Sequence, residues 1–187
     1  LDQLPGFETF NRDTALESSV RAVIEDIREK GLKACIAYTQ KFDSIVLNEN
    51  EIFVDPRKAV LPVIPENFEK ALRKAIANIT RFHRHQKPRN FKIKINKGSF
   101  AGEKWFPLDR VGCYVPGGTA PLISTVLMTV IPARIAGVKS IVVATPPAKD
   151  GSIHPYILYA CKLLGVEIVL KLGGIQAVAA MALGTGL

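Results

Sequence analysis

Three helices are predicted in the N-terminal half by the spacing of apolar positions. The first covers residues 13–30, where apolar side chains recur at the i, i+3, i+4, i+7 spacing of an amphipathic helix, and it ends at Gly31. A shorter helix follows over residues 35–42. The third begins near Pro65 and ends before Pro88. Its apolar stripe is formed by Phe68, Leu72, Ala75, Ile76, Ile79 and Phe82.

A strand is predicted after the third helix, at residues 91–95, where apolar and basic side chains alternate. Alternation of this kind is typical of a strand with one face buried and one exposed. Phe82 and Phe91 fit the buried stripe, so we expect both in the core. The pattern therefore predicts that residues 1–108 form an N-terminal helical arm with some strand.

From Val111 onwards the pattern changes to short, continuous apolar runs that alternate with helical stretches. The runs at 111–115, 140–145 and 166–172 predict strands, and helices follow each of them, with Pro132 kinking or splitting the first. Strands that alternate with helices favour parallel pairing, and parallel strands are buried on both faces. The predicted class is α/β, with a Rossmann-like parallel sheet, flanking helices and the preceding arm. Residues 109–187 form this first, incomplete Rossmann-like domain.

Ligands of open α/β sheets bind beyond the carboxyl ends of the strands. Two glycine pairs lie there, at residues 117–118 and 173–174, and they either allow a ligand to approach the main chain or only make tight turns. Neither pair is part of a GxGxxG dinucleotide fingerprint. Tyr114 packs in the core or faces this edge. Gln176 begins an otherwise apolar helix, so its amide needs a partner, which is a ligand or a backbone group.

Composition indicates an ordinary globular protein, because 48% of the 187 residues are hydrophobic and 22% are charged. The net charge of +8 is concentrated in residues 70–97, which contain ten Lys or Arg and no Asp or Glu. This segment is either a nucleic-acid surface or a solvated helix and strand face. The placement of Phe82 and Phe91 in the apolar stripe favours the solvated face, so no nucleic-acid partner is expected.

The sequence gives little support for a metal site or a catalytic nucleophile. The cysteines at positions 35, 113 and 161 are far apart and form no CxxC pair, and Cys113 lies in an apolar strand as an inert core residue. His83 and His85 are spaced i, i+2 and point apart on a helix, so they cannot chelate one ion. His154 is expected in a surface loop.

Two long segments of the sequence contain no charged residue. Residues 111–133 are long enough to span a bilayer, but three prolines and three glycines interrupt them, so a buried core is favoured over a membrane helix. Residues 172–187 are also uncharged, and the helix within them is apolar almost all round and needs covering on more than one side. We therefore expect the chain to be a fragment of a longer protein.

The amino-acid sequence of the C-terminal half resembles that of the histidinol dehydrogenase family. The similar segments are RVGCYVPGGTAPLISTVLM at 110–128, IPARIAGV at 131–138, ATPP at 144–147, GGIQA at 173–177 and GT at 184–185. Looser similarity covers IREKG at 27–31, YTQKFD at 38–43 and FHRHQ at 82–86. Departures from the family pattern are Leu32, Ile175 and a short insertion at 148–154.

This resemblance implies a cytoplasmic, zinc-dependent homodimer that oxidises L-histidinol to L-histidine through L-histidinal with NAD, as part of histidine biosynthesis. By motif match it implies cofactor contacts at Tyr114, Gln176, Gly117 and Gly118. The zinc ligands and the acid–base residues of the family lie downstream, so none is assigned in this chain. The isolated chain is expected to be inactive. A paralogous NAD- and zinc-dependent enzyme for another small alcohol is the alternative, followed by a basic nucleic-acid-binding module.

Overall fold

The computed structural model describes residues 14–117 and 120–187, and it has the predicted alternation of strands and helices in its C-terminal half. The elements in chain order are α1 (Thr14–Lys30), α2 (Leu32–Asp43), α3 (Glu49–Ile52), β1 (Phe53–Val54), α4 (Glu66–Gln86), β2 (Phe91–Asn96), β3 (Ser99–Glu103), β4 (Arg110–Tyr114), α5 (Ile123–Ala136), β5 (Ser140–Thr145), α6 (Pro155–Leu163), β6 (Ile168–Lys171) and α7 (Gly174–Leu183).

A four-stranded sheet of order β1-β6-β5-β4 organises the fold. β4 pairs with β5 in parallel, and β5 pairs with β6 in parallel, so that Cys113 lies opposite Val143 and Val143 opposite Val169. The predicted parallel sheet is thereby confirmed. β1 adds to it in antiparallel orientation through Phe53 and Val54, a strand that the sequence did not predict because two residues are too few for a pattern.

Successive residues of the strands supply two separate cores, because neighbouring side chains point to opposite faces of a sheet. One face packs against α4, α5 and α6, with a core that includes Cys113, Val143, Val169, Leu72, Val126 and Ile157. The other face packs against α1, α2 and α7, with a core that includes Val142, Leu170, Leu172, Val23, Ile27 and Cys35. Burial on both faces explains why the strand sequences are continuously apolar.

The predicted arm helices form at nearly the predicted bounds, as α1, α2 and α4. α1 and α2 pack on α7, and α4 packs on α5. The helices of the predicted arm thus cover both sides of the sheet. The boundary between residues 1–108 and 109–187 stays a prediction.

The β2–β3 hairpin corrects the expectation of a half-buried strand and a buried Phe91. β2 and β3 pair only with each other, and every residue of both strands is exposed. Phe91 is 50% exposed and Phe82 is 62% exposed, so neither is a core residue. The alternating pattern was read correctly as a strand, but no second layer covers it among the described residues. Phe82 lies on the last turns of α4, beyond the part of its stripe that packs on the core.

The remaining helices end where their sequence signals lie. α5 runs through Pro132 as one helix and ends at Gly137, which has a left-handed φ of 102°.

His154 precedes α6 as its N-cap, where the imidazole Nδ1 accepts a hydrogen bond of 3.2 Å from the Tyr156 N–H. Within the described ranges, no helix has the length and apolar content needed to cross a bilayer.

Candidate cofactor site at the sheet edge

The carboxyl ends of β4, β5 and β6 meet at one edge of the sheet, and Pro146 lies at its centre. A Cβ added to Gly117 would stand 2.5 Å from Cγ of Pro146, and one added to Gly173 would stand 2.6 Å from its Cβ. Both glycines are therefore needed for the loops to pack on the proline ring. This close packing is a structural reason for both glycines, and the approach of a ligand to them stays a prediction. Gly118, which the sequence also suggested, lies outside the described residues.

Tyr114 ends β4 and connects it to the start of α7. Its hydroxyl oxygen accepts a hydrogen bond of 2.9 Å from the Gly174 N–H. The oxygen is the acceptor in this bond, so the hydroxyl hydrogen remains free to donate elsewhere. Tyr114 thus faces the predicted edge and is only partly buried.

Gln176, in the first turn of α7, is the least satisfied side chain at this edge. It is 0% exposed, and its Nε2 donates to Oδ2 of Asp43 over 3.4 Å. Its Oε1 finds no hydrogen-bond partner in the part of the chain that the structure describes. A buried acceptor without a partner costs about 1–3 kcal/mol. The Nε2 of this amide thus has a side-chain partner, and a ligand donor for its Oε1 stays a prediction.

Asp43 belongs to the same cluster, although the sequence analysis did not single it out. It is the last residue of α2, and its Oδ1 would lie 3.5 Å from a Cβ at Gly173. Burial raises the pKa of this carboxyl above its usual value. In the sequence, Asp43 could have been noticed as an acidic residue at the end of a predicted helix, where the helix dipole disfavours negative charge.

Two hollows adjoin the cluster. A cavity of about 180 Å³ lies between the loops after β4 and β5, and Gly117, Thr145 and His154 contribute to its lining. A wider, mostly apolar groove of about 680 Å³ runs between α1 and α7, and Tyr114 and Gly174 contribute to its wall. Tyr114 thus presents its ring to a volume large enough for a small organic ligand.

The cysteines are structural, as predicted for Cys113. All three are buried and free, and desolvation raises the pKa of Cys35 to about 11 and of Cys161 to about 12. The pKa of Cys113 is also raised by burial. Thiols with raised pKa values are poor nucleophiles and poor metal ligands at neutral pH.

Comparison with known proteins identifies the family of the chain. The family model described as histidinol dehydrogenase matches residues 8–187. The chain belongs to the histidinol dehydrogenase family. The α/β class predicted from the alternation of strands and helices is confirmed, since the crystal structure of histidinol dehydrogenase from Elizabethkingia anophelis superposes with a TM-score of 0.84 at 41% identity.

Relatives of the histidinol dehydrogenase family align over most of this chain. The enzyme named histidinol dehydrogenase from Methanosarcina mazei is 46% identical over 168 residues, which are 89% of this chain and 39% of that protein. The one from Thermococcus kodakarensis is 43% identical over 92% of this chain and 45% of its own length. The Elizabethkingia structure is covered to 39%, against 91% of this chain. The chain thus spans about two fifths of the length of these relatives.

No metal-binding cluster is found among the described residues. Over residues 14–117 and 120–187, no group of three or more His, Cys, Asp or Glu side chains is arranged to hold a metal ion. His83 and His85 lie in the last turn of α4, whereas His154 caps α6 and lines the small cavity beside the sheet edge.

The three departures from the family pattern lie at different places in the fold. Ile175 forms part of the wall of the apolar groove beside Gly174. Leu32 packs near Gly186, where an added Cβ would lie 3.2 Å from the leucine Cδ1. The insertion at 148–154 closes as a turn, in which the Ala148 N–H donates to the Ser152 carbonyl over 2.8 Å.

Proposed function

We propose that this chain forms part of the NAD site of a histidinol dehydrogenase, an enzyme of histidine biosynthesis that oxidises L-histidinol to L-histidine through L-histidinal. The family membership supports the reaction, and the unpaired Oε1 of Gln176 carries the assignment of the site. The proposed cofactor contacts are Tyr114, Gln176, Gly117 and Gly118. The proposed homodimer and cytoplasmic location rest on the family resemblance alone.

The polar groups at the sheet edge fit a dinucleotide. NAD carries hydroxyl and carboxamide donors together with phosphate and hydroxyl acceptors. Gln176 offers a free acceptor atom, and Tyr114 offers a free hydroxyl hydrogen beside an apolar groove. These two side chains can therefore orient a molecule that presents both a donor and an acceptor.

Tyr114 and Gln176 would hold the NAD, which would supply a hydride acceptor, one molecule for the alcohol and a second for the hydrated aldehyde. The residues described here take part by binding and orienting the cofactor. The described residues do not fit a zinc site. The proposal therefore assigns zinc binding and acid–base catalysis to the rest of the protein.

The direct test of this function is an assay of the complete protein with NAD⁺ and L-histidinol, following NADH absorbance. We expect two NADH per L-histidinol consumed, and no turnover from the isolated 187-residue chain. Turnover of another small alcohol in preference to L-histidinol would favour the paralogous enzyme instead.

Substitution of the two contact residues is expected to weaken NAD binding without unfolding the protein. Tyr114→Phe and Gln176→Met each remove one hydrogen-bonding group while keeping most of the side-chain volume. Loss of one such bond corresponds to a rise of about 2- to 10-fold in the dissociation constant for NAD⁺. Isothermal titration calorimetry on the complete protein measures the constants, and thermal melting monitors the fold.

Matched controls exist away from the sheet edge. Tyr38→Phe removes a hydroxyl that donates to Asp26 over 2.7 Å, and Gln86→Met changes an exposed amide at the end of α4. Both should bind NAD⁺ as the unmodified protein does. Titration curves that coincide for all four variants would refute the proposed contacts.

The basic segment at residues 70–97 has a separate prediction. The exposure of Phe82 and Phe91 removes the reason for which a solvated face was favoured, while the absence of a nucleic-acid partner stays a prediction. The test is a gel shift with duplex and single-stranded DNA at physiological salt. We expect no shift. Strong, salt-dependent binding that a Lys87, Lys92 and Lys94 to Ala triple variant abolishes would instead establish a nucleic-acid surface.

A further inference from the structure

A carboxylate and a glutamine from distant parts of the chain meet behind the sheet edge. Asp43 ends α2, and Gln176 lies in the first turn of α7, the helix against which α2 packs. The Gln176 Nε2 donates to Oδ2 of Asp43 over 3.4 Å, and the two residues are 133 positions apart in sequence. The contact therefore exists only in the folded protein.

This contact determines which way the Gln176 amide faces. A side-chain amide has a donor end and an acceptor end, whereas an ionised carboxylate can only accept. The Nε2 end must therefore face Asp43, and the Oε1 end faces the start of α7, where it would lie 3.1 Å from a Cβ placed on Gly174. Oε1 is the atom that has no partner among the described residues.

Asp43 is an unusual group to bury for structural reasons alone. It forms no salt bridge in the described ranges, and its desolvation raises its pKa, so its charge is not compensated by a neighbouring cation. A partly desolvated carboxylate without a cationic partner weakens a fold, so a role other than stability accounts for its position. Here its hydrogen bond fixes a fully buried amide.

We propose that Asp43 is a positioning residue for NAD binding, which orients Gln176 so that its Oε1 accepts a hydrogen bond from a hydroxyl or amide donor of the cofactor. This inference rests on the proposed function. It assigns to Asp43 no contact with the reacting atoms.

A double-mutant cycle on the complete protein tests the proposal, with the dissociation constant for NAD⁺ as the readout. The variants are Asp43→Ala, Asp43→Asn, Gln176→Met and the combination of Asp43→Ala with Gln176→Met. We expect Asp43→Ala to weaken binding about 3- to 10-fold, and the combination to be no weaker than Gln176→Met alone, because Asp43 acts through Gln176. Asp43→Asn should stay within about twofold of the unmodified protein, since its amide oxygen can still accept from Nε2.

The outcomes separate this proposal from the proposed function. Additive losses in the combined variant, or an Asn variant as weak as the Ala variant, would overturn the positioning role while leaving the NAD site intact. If Gln176→Met binds NAD⁺ normally, the cofactor contact itself fails and the positioning role falls with it. If thermal melting shows that Asp43→Ala is unfolded, Asp43→Asn alone decides: binding within twofold supports the role, and a tenfold loss in a folded protein contradicts it.

Discussion

Replacing Leu170 by alanine is expected to lower the free energy of unfolding by about 2–5 kcal/mol. Leu170 lies on β6, where it is opposite Ala144 of β5 and Phe53 of β1, and it is 1% exposed. Its side chain fills the core between the sheet and α1, α2 and α7. Truncation removes apolar contacts and leaves a cavity that neighbouring side chains fill only in part. Urea denaturation of the variant and the unmodified chain measures the difference.

Ile93→Ala on the hairpin is the control for this measurement. Ile93 is 52% exposed on β2, so its truncation should change the free energy of unfolding by no more than about 0.5 kcal/mol. The comparison tests the fold itself, because the sequence pattern alone predicts that both side chains are buried. Equal losses at the two positions would mean that the hairpin packs on the body of the chain.

Replacing Gly173 by valine is expected to disrupt the sheet edge and the binding of NAD together. An added Cβ would meet Cβ of Pro146 at 2.6 Å and its backbone Cα at 3.3 Å. The proline ring is rigid, so the start of α7 must shift, and overpacking of this kind costs about 1–3 kcal/mol. Because α7 carries Gln176, we expect the dissociation constant for NAD⁺ in the complete protein to rise at least about tenfold.

Valine at Ala101 provides the matched control for this substitution. Ala101 lies on the exposed strand β3, where an added branched side chain meets no core. Calorimetric titration with NAD⁺ and thermal melting are run on both variants. We expect Ala101→Val to match the unmodified protein in both measurements. Unchanged NAD⁺ affinity in Gly173→Val would contradict the expected disruption.

The central sheet could be predicted from sequence because its strands are buried on both faces. A continuous run such as residues 140–145 has no other simple explanation when turns and helices flank it. β1 could not be found in this way, since two residues carry no period. The exposure of Phe82 and Phe91 was also out of reach, because an alternating or helical pattern identifies an apolar face but not the layer that covers it.

Only part of the candidate site could be predicted from the sequence. Gln176 stands out in sequence as an amide in an apolar helix, and the structure leaves its oxygen without a partner in the described residues. Tyr114 stands beside the predicted turn at 116–118, and the sequence left its place open between the core and the edge. Asp43 depends on the packing of α2 against α7, a contact that no local pattern encodes. The close approach of Pro146 to both glycines likewise follows only from the folded loops.

A crystal structure of the complete protein with NAD⁺ bound is the most direct measurement of the central claim. It is predicted to show cofactor donor and acceptor atoms within hydrogen-bonding distance of the Gln176 Oε1 and the Tyr114 hydroxyl. Density for NAD⁺ at another surface, with both of these atoms left without contact to it, would contradict the account.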